Sequence, residues 1–152
     1  MNINLIHDEL IRINLSVQNS SEIISLLSES LYQHGYVSES FCNAVIEREK
    51  IYPTGLPFPI GVAIPHTDAV HVNKNAIAVG VLSDPICFGE MGSQGVEIEV
   101  RIVCVLAIDK PELVVQTLQT LITCFQKKSF LEGILMASTP TAVTRIFKEN
   151  LL

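Results

Sequence analysis

The amino-acid sequence predicts an α/β fold, with a single mixed, mostly parallel β-sheet of about five strands and helices on both faces. Amphipathic helical patterns lie on either side of the middle of the chain, and the middle holds apolar, strand-like runs. The run from residue 102 to 108 is apolar at every position. A strand of this kind needs cover on both faces, so the sheet is expected to lie between two helical layers.

The chain of 152 residues has the length of one ordinary domain. Its apolar fraction of 48% and charged fraction of 17% are sufficient for a real core and untypical of disorder. No repeat, low-complexity tract or linker interrupts the sequence. We therefore expect residues 1–152 to form a single domain.

Two helices are predicted near the start. Segment 19–35 (NSSEIISLLSESLYQHG) has polar residues that can cap a helix at its beginning and a glycine after its end. One face of this helix is apolar and consists of Ile23, Ile24, Leu27 and Leu31. A second helix is predicted at about residues 38–50, with Phe41 and Val45 turned inward. On it, Glu47 and Glu49 are interpreted as a solvated face.

The strands are predicted in the middle of the chain. Segment 51–59 (IYPTGLPFP) contains three prolines and a glycine, which rules out a regular element there. Strands are expected at 60–64 and 76–82, with a short one at 86–88. Segment 95–108 alternates apolar and charged residues in its first half, which indicates one wet face, and becomes fully apolar in its second half.

Helices are predicted to close the chain. Asp109 is expected to open a helix with Pro111 in its first turn and Glu112 three positions after the aspartate, the spacing of a capping box. Its buried stripe is expected to be Leu113, Leu118, Leu121, Ile122 and Phe125. Short helices near 130–136 and 141–151 follow, the second after the capping sequence STP.

Charge and hydropathy exclude several classes of function. The formal charge is −6, and no basic run extends beyond Lys127-Lys128, which argues against binding to nucleic acid or to an anionic membrane surface. No apolar run approaches the roughly 18 residues of a membrane span. The start, MNINLIHDEL, lacks the basic flank and long apolar stretch of a signal peptide. A cytoplasmic protein without membrane insertion is expected.

The four cysteines are expected to be small buried hydrophobes, because each has mostly apolar neighbours and none belongs to a C-x-x-C pair. They are Cys42, Cys87, Cys104 and Cys124.

The segment GVAIPHTDAV, residues 61–70, ends an apolar strand on a proline and places His66 directly after it. Pro65 fixes its own φ and biases Ile64 toward an extended backbone. His66 is therefore the first side chain beyond a stiff joint, at a strand end, where ligand chemistry gathers in such sheets. A purely structural histidine that bonds a backbone group stays an alternative.

A metal site made of His66, Asp68 and His71 is a second alternative, because imidazole and carboxylate groups are metal ligands. However, His-x₄-His without an intervening helix or a nearby cysteine does not match a usual zinc pattern. A serine or cysteine triad is disfavoured because no G-x-S-x-G occurs, and no P-loop motif is present. No cofactor and no metal ion are expected.

His66 can instead act as a nucleophile that holds a phosphoryl group as a phosphoramidate. This chemistry needs one ring nitrogen unprotonated, the other fixed as a donor, and cationic or N–H groups around the phosphoryl oxygens. Arg48, Thr54 and Thr67 are candidates for stabilising those oxygens. Asp68 either orients the imidazole or caps the following turn.

The stretch REKIYPTGLPFPIGVAIPHTD resembles the enzyme IIA component of the bacterial sugar phosphotransferase system, in its fructose–mannitol superfamily. The matching features are Arg48-Glu49 at a helix end, Thr54-Gly55 in a loop, and Ala63-Ile64-Pro65-His66 at a strand end. The resemblance extends over most of the chain. It also implies a mixed sheet that is covered by helices on both faces.

The resemblance implies that His66 takes a phosphoryl group on Nε2 from phospho-HPr and passes it to a cysteine of a cognate enzyme IIB. The membrane enzyme IIC would then couple sugar entry to phosphorylation. Because both partners dock transiently, exposed apolar residues are expected around His66. The candidates are Leu56, Phe58 and Val70.

Members of the superfamily usually have a second histidine at the start of the helix after the long strand. Here IDKPELVV puts Glu112 or its neighbour at that place. With the YPTG loop, this departure resembles the galactitol branch most. Arg48, the Thr54 hydroxyl and N–H groups after Thr67 are expected to stabilise the phosphoryl charge instead. A regulatory phosphohistidine module of the nitrogen-regulatory type and a metal-dependent hydrolase stay open as other functions.

Overall fold

A strand absent from the sequence predictions opens the sheet. In the computed structural model, which describes residues 3–151, β1 spans Ile6–Leu15. Its second half alternates apolar Ile11 and Ile13 with polar Arg12 and Asn14, as a half-buried strand does. The pairing register shifts within β1, and this irregularity interrupts the alternation by which a strand is recognised in a sequence.

The other elements follow the predicted order of helices, strands and helices. They are α1 (Ser20–Gln33), α2 (Phe41–Ile51), β2 (Gly55–Leu56), β3 (Val62–Ala63), β4 (Ala76–Gly89), β5 (Glu97–Ala107), α3 (Pro111–Phe125), α4 (Lys128–Met136) and α5 (Pro140–Asn150). The two runs predicted as separate strands at 76–82 and 86–88 belong to one strand, β4, whose register shifts between Val81 and Ile86.

The five strands form one mixed sheet in the order β1-β4-β5-β3-β2, which confirms the predicted α/β class. The pairs β1–β4 and β3–β5 are parallel. The pairs β4–β5 and β2–β3 are antiparallel. Parallel and antiparallel pairings are therefore balanced, rather than mostly parallel as expected, because the short connections after β2 and β4 permit only antiparallel pairing.

Helices cover both faces of the sheet, as predicted, and the alternation of β5 shows how. Ile102, Cys104 and Leu106 belong to a core cluster with residues of α3, α4 and α5. Val103 and Val105 belong to a second cluster on the other face, with residues of α1 and α2. The central strand is thus buried on both faces, which explains its continuous apolar sequence.

Two of the three predicted helix caps are present. The Asn19 side chain accepts a hydrogen bond from the N–H of Glu22 at 3.0 Å, and Thr139 caps α5 ahead of Pro140. The predicted capping box at α3 is wrong, because α3 begins at Pro111. The backbone N–H of Asp109 donates to Asn75 Oδ1 instead, at 2.7 Å, which places the aspartate before the helix.

The four cysteines differ in burial. Cys104 and Cys124 are buried, as predicted, whereas Cys42 is half-buried and Cys87 is exposed. The prediction is wrong for Cys87 because its neighbours Ile86 and Phe88 point into the core. Cys87 therefore points to the opposite face of β4.

Candidate functional site

His66 is fixed to the sheet through the short strand β3. β3 pairs with β5 on one side and with β2 on the other. Beyond β3, Ile64 and Pro65 are buried, and the carbonyl of Pro65 accepts a hydrogen bond from Leu106 N at 3.0 Å. The backbone is therefore held on β5 up to the residue before His66.

The imidazole of His66 has one engaged nitrogen. Its Nδ1 lies 2.8 Å from the carbonyl oxygen of Ile64. Because a carbonyl oxygen only accepts, Nδ1 must bear the proton, and Nε2 of the neutral ring keeps its lone pair.

The surroundings of the ring favour its neutral form. Burial lowers the pKa of His66 below its usual value, and the charge of Arg48 lowers it further. The hydrogen bond to Ile64 and the charge of Asp68 raise the pKa, but burial has the larger effect. At neutral pH the imidazole is therefore uncharged and has a free lone pair on Nε2.

His66 opens on a small cavity of about 140 Å³. The cavity is lined by Arg48, His66, Thr67, Asp68, Ala69, Pro111 and Val114. Four of the residues singled out in the sequence thus share one site, although they come from α2 and from the segment after β3. A volume of this size suits a small group such as a phosphoryl group, and the cavity is open to solvent.

Arg48 lines this cavity and also has an unpaired donor. Its Nε is buried and has no hydrogen-bond partner among the described residues. The guanidinium lies over the ring of Tyr52, with 5.1 Å between Cζ and the ring centroid. A positioned guanidinium with an unsatisfied N–H, beside an uncharged imidazole, is suited to bind an anion.

Thr54 does not line the cavity, although it was a candidate for stabilising phosphoryl oxygens. It is buried, and its hydroxyl donates to Glu49 Oε1 at 2.8 Å. The Thr54 hydroxyl oxygen itself accepts a hydrogen bond from the N–H of Ile64 at 3.2 Å. Thr54 therefore holds the backbone at Ile64, two residues before His66.

Glu49 is not part of a solvated helix face, and that interpretation is wrong. Its carboxylate is largely buried and accepts hydrogen bonds from the Thr54 N–H and hydroxyl. Burial raises the pKa of Glu49 to about 7, against these hydrogen bonds and the charge of Arg48, which lower it. The sequence did contain a signal, because Glu49 lies four residues after the buried Val45 and so on the same helix face.

Thr67 lines the cavity, whereas the carboxylate of Asp68 makes no hydrogen bond to the imidazole in the described structure. The nitrogen that Asp68 was expected to orient is held by the Ile64 carbonyl instead. Asp68 precedes a short 3₁₀ turn, Ala69–His71, without a side-chain capping bond. Its effect on His66 is electrostatic.

The neighbouring His71 is engaged elsewhere, because its Nδ1 lies 2.7 Å from Ser40 Oγ. Within residues 3–151, no group of three or more His, Cys, Asp or Glu side chains is arranged to hold a metal ion. The described helices also include none that is long and apolar enough to cross a bilayer.

The expected docking residues separate in the structure. Val70 is 82% exposed, beside the cavity residue Ala69. Leu56 is half-buried, pairs with Val62 and does not line the cavity. Phe58 is half-buried and lines a different groove, which contains Pro85 and Arg101. Leu56 and Phe58 therefore do not surround the imidazole.

Other exposed apolar side chains, missed in the sequence, belong to the segments that line the cavity. Ile51 and Tyr52 follow Arg48 at the end of α2, and Val115 follows the cavity residue Val114 on α3. Together with Val70 they form what we term the apolar rim. The rim consists of Ile51, Tyr52, Val70 and Val115.

The N-terminus of α3 occupies the place where the superfamily has its second histidine. Pro111 and Val114 line the cavity, whereas Glu112 is exposed. The first turn of a helix presents a partial positive charge, and α3 has no side-chain cap of its own. Helix α3 thus supplies favourable electrostatics for an anion in the cavity, without an imidazole.

Known proteins resemble this chain over most of its length. Residues 4–150 match the family model described as "Phosphoenolpyruvate-dependent sugar phosphotransferase system, EIIA 2". The galactitol-specific EIIA component of Escherichia coli (strain K12) is 24% identical over 126 residues, which are 82% of this chain and 83% of that protein. The transcriptional regulator ManR of Bacillus subtilis is 26% identical over 141 residues, but this chain spans only 19% of its length.

Solved structures share the fold. A putative PTS IIA (PtxA) from Streptococcus mutans has a TM-score of 0.82 and 24% identity, with coverage of 99% of this chain and 95% of that chain. The E. coli IIAMTL, solved in complex with phosphorylated enzyme IIBMTL, has a TM-score of 0.79 and 21% identity, with coverage of 95% and 97%.

Proposed function

This chain belongs to the EIIA 2 family of the phosphoenolpyruvate-dependent sugar phosphotransferase system, whose members transfer phosphoryl groups, and we propose that His66 is the residue that receives the group. One observation supports this assignment above the others. The Nδ1 proton of His66 is held by the Ile64 carbonyl, so the lone pair lies on Nε2, and Arg48 lines the same cavity as the imidazole.

The proposed reaction is a double displacement. The Nε2 lone pair of His66 attacks phosphorus on the phosphohistidine of phospho-HPr, the donor's P–N bond breaks, and its electron pair returns to the donor imidazole. In the second step a cysteine thiolate of enzyme IIB attacks the same phosphorus. The bond between phosphorus and Nε2 then breaks, and the lone pair of His66 is restored.

Arg48 and the N-terminus of α3 are the proposed stabilisers of the phosphoryl oxygens. Arg48 offers a positive charge and guanidinium N–H groups, and Thr67, which also lines the cavity, can add a hydroxyl or N–H donor. Donors that are already positioned before the reaction contribute strongly to transfer of a charged group. Thr54 acts indirectly, through Ile64.

We propose the partners and the sugar by analogy with relatives. The solved IIAMTL–IIBMTL complex supports an enzyme IIB acceptor, and the galactitol-specific EIIA relative supports a galactitol-type sugar that enters through a membrane enzyme IIC. We accordingly place the protein in the cytoplasm, as a single domain over residues 1–152 that needs no cofactor. Neither nucleic acid nor direct membrane insertion is part of this proposal.

Incubation with phosphoenolpyruvate, enzyme I and HPr, followed by mass spectrometry, tests the assignment. One acid-labile phosphate is expected on the wild-type protein and on His71→Ala, which removes a neighbouring imidazole outside the cavity. His66→Ala should take up none. A phosphate that remains on the His66→Ala protein would refute the role of His66.

A regulatory module is the second candidate, because the chain also matches part of a transcriptional regulator. The two functions differ in the second transfer step. A transport component discharges its phosphate to the cysteine of an enzyme IIB, and substitution of that cysteine by serine blocks the discharge. A protein that becomes phosphorylated but discharges to no enzyme IIB supports the regulatory function.

A further inference from the structure

Glu49 anchors a series of hydrogen bonds that ends at His66. The Glu49 Oε2 accepts from the Thr54 N–H at 2.7 Å, and Oε1 accepts from the Thr54 hydroxyl at 2.8 Å. With its proton directed to Glu49, the Thr54 oxygen serves as an acceptor for the Ile64 N–H at 3.2 Å. The Ile64 carbonyl in turn accepts the Nδ1 proton of His66 at 2.8 Å.

Every donor in this series points toward the carboxylate. His66 donates to Ile64, Ile64 donates to Thr54, and Thr54 donates to Glu49. The N–H and the carbonyl of Ile64 belong to different peptide groups and keep fixed roles, so the carboxylate acts on the series through the Thr54 hydroxyl, whose proton it accepts. An ionised carboxylate accepts only, so it leaves the Thr54 hydroxyl no other orientation.

We propose that Glu49 is a positioning residue for phosphoryl transfer: its carboxylate holds Thr54 and Ile64 so that His66 stays in the tautomer with Nε2 unprotonated. Glu49 touches neither the phosphoryl group nor the imidazole. The proposal rests on His66 as the phosphoryl acceptor for its kinetic part, whereas its structural part concerns the tautomer alone.

Protonation of Glu49 is expected to weaken the series. A second cavity, of about 270 Å³, is lined in part by Glu49 and gives protons access. Among the described residues, Arg48 acts on Glu49 through its charge, Lys50 and Glu97 are the other charged residues that line this cavity, and α1 and β4 contribute uncharged residues there. The protonated carboxyl becomes a donor, so it no longer fixes the direction in which the Thr54 hydroxyl donates.

The expected pH dependence follows from this. With the pKa of Glu49 at about 7, its carboxylate form declines as pH falls through neutrality. His66 itself stays neutral there, because its own pKa is lowered. The transfer rate should therefore decrease below about pH 7 for a reason other than protonation of the nucleophile.

Glu49→Gln, with Glu47→Gln as its matched control, tests the proposal. Glu47 lies on the same helix with a side chain that is 68% exposed, so its substitution makes the same chemical change outside the series. Nitrogen chemical shifts of labelled histidine measure the tautomer of His66, and rapid-quench assays with phospho-HPr measure transfer against pH.

In Glu49→Gln we expect a mixture of His66 tautomers, transfer that is slower by roughly tenfold to a hundredfold, and loss of the inflection near neutrality. The apparent affinity for phospho-HPr should not change, and Glu47→Gln should behave as wild type. A folded Glu49→Gln protein with the wild-type tautomer and pH profile would overturn the proposal.

Thr54 variants decide the question if Glu49→Gln fails to fold. Thr54→Val removes the hydroxyl and should show the same tautomer mixture, and Thr54→Ser should restore the wild-type tautomer. If His66 shows the same tautomer populations in Thr54→Val and Thr54→Ser, the proposal is contradicted. A wild-type protein that accepts no phosphate would refute the proposed function, while the tautomer measurements would still decide the role of Glu49.

Discussion

At the scale of single residues, the two nitrogens of His66 have different environments. Nδ1 donates to a backbone carbonyl two residues earlier, and Nε2 is left for the cavity. The Pro-His pair at a strand end was sufficient to single out His66. The partner of Nδ1 was not predictable from the residues alone, because the direction of the Ile64 carbonyl depends on how β3 joins the sheet.

Arg48 leads to a prediction at this scale. Arg48→Ala should slow phosphorylation of His66 by roughly a hundredfold, because a positioned donor to the phosphoryl oxygens is lost. Arg48→Lys should recover only part of the rate, since an ammonium lacks the planar N–H fork. Rapid-quench measurements with phospho-HPr test this, with the exposed Arg145→Ala as control. Unchanged transfer in Arg48→Ala would contradict the role of Arg48.

Glu47 and Glu49 illustrate what composition leaves undecided. Two positions along an α-helix differ by about 200° in direction, so one glutamate can face solvent while the other faces the core. Only the loop that returns Thr54 to the end of α2 gives Glu49 its partners. The spacing from Val45 indicates the inward face of Glu49, whereas its hydrogen-bond partners become evident only in the tertiary structure.

At the scale of elements, the two-residue strand β3 depends on close contact with β5. Gly61 precedes β3, and its carbonyl accepts from the N–H of Arg101 at 2.9 Å. A Cβ atom at Gly61 would lie 1.8 Å from the carbonyl oxygen of Glu99. Only glycine permits the approach that puts β3, and hence His66, in position.

Gly61→Ala is therefore expected to destabilise the protein by about 2–4 kcal/mol, because the backbone must move away from β5. Gly133→Ala is the matched control, since its Cβ would meet Ile146 at 3.4 Å in the interior of α4. That change should stabilise by about 0.5–1 kcal/mol. Denaturant unfolding measures both values, and a Gly61→Ala protein as stable as wild type would show that the contact is relaxed without cost.

The elements that were predicted correctly are those with a regular apolar period or strong end signals, such as α1 and α5. β1 escaped prediction because its register shift interrupts the period. The capping box failed for a different reason. The sequence spacing was suitable, but Asn75 binds the backbone of Asp109 from a distant part of the chain.

At the scale of the whole molecule, the three segments that line the His66 cavity also carry exposed apolar side chains. The residues of the apolar rim belong to the segments that line the His66 cavity, whereas Leu56 and Phe58 do not line it. The rim comes from three separate segments, the end of α2, the turn after His66 and the start of α3. Their proximity follows from the strand order, which the sequence patterns did not contain.

Val70→Asp tests the rim as a docking surface. We expect a weaker complex with phospho-HPr and with enzyme IIB, by roughly tenfold, because a charge is buried when the surfaces meet. Stability should not change, since Val70 is exposed. Met136→Asp is the control, as Met136 is 83% exposed and belongs to α4, outside the rim. Titration calorimetry measures both; equal affinities for the two variants would refute the docking role of Val70.

The anchoring of His66 has a kinetic consequence. The peptide before it is bonded to β5 through Leu106, and its ring is bonded to Ile64. A side chain held at both points does not swing between separate binding places. The phosphoryl donor and the acceptor would then occupy the same face in turn, and each would compete with the other for it. Phosphoryl exchange would therefore obey ping-pong kinetics. Between the two encounters the phosphorylated protein would diffuse freely.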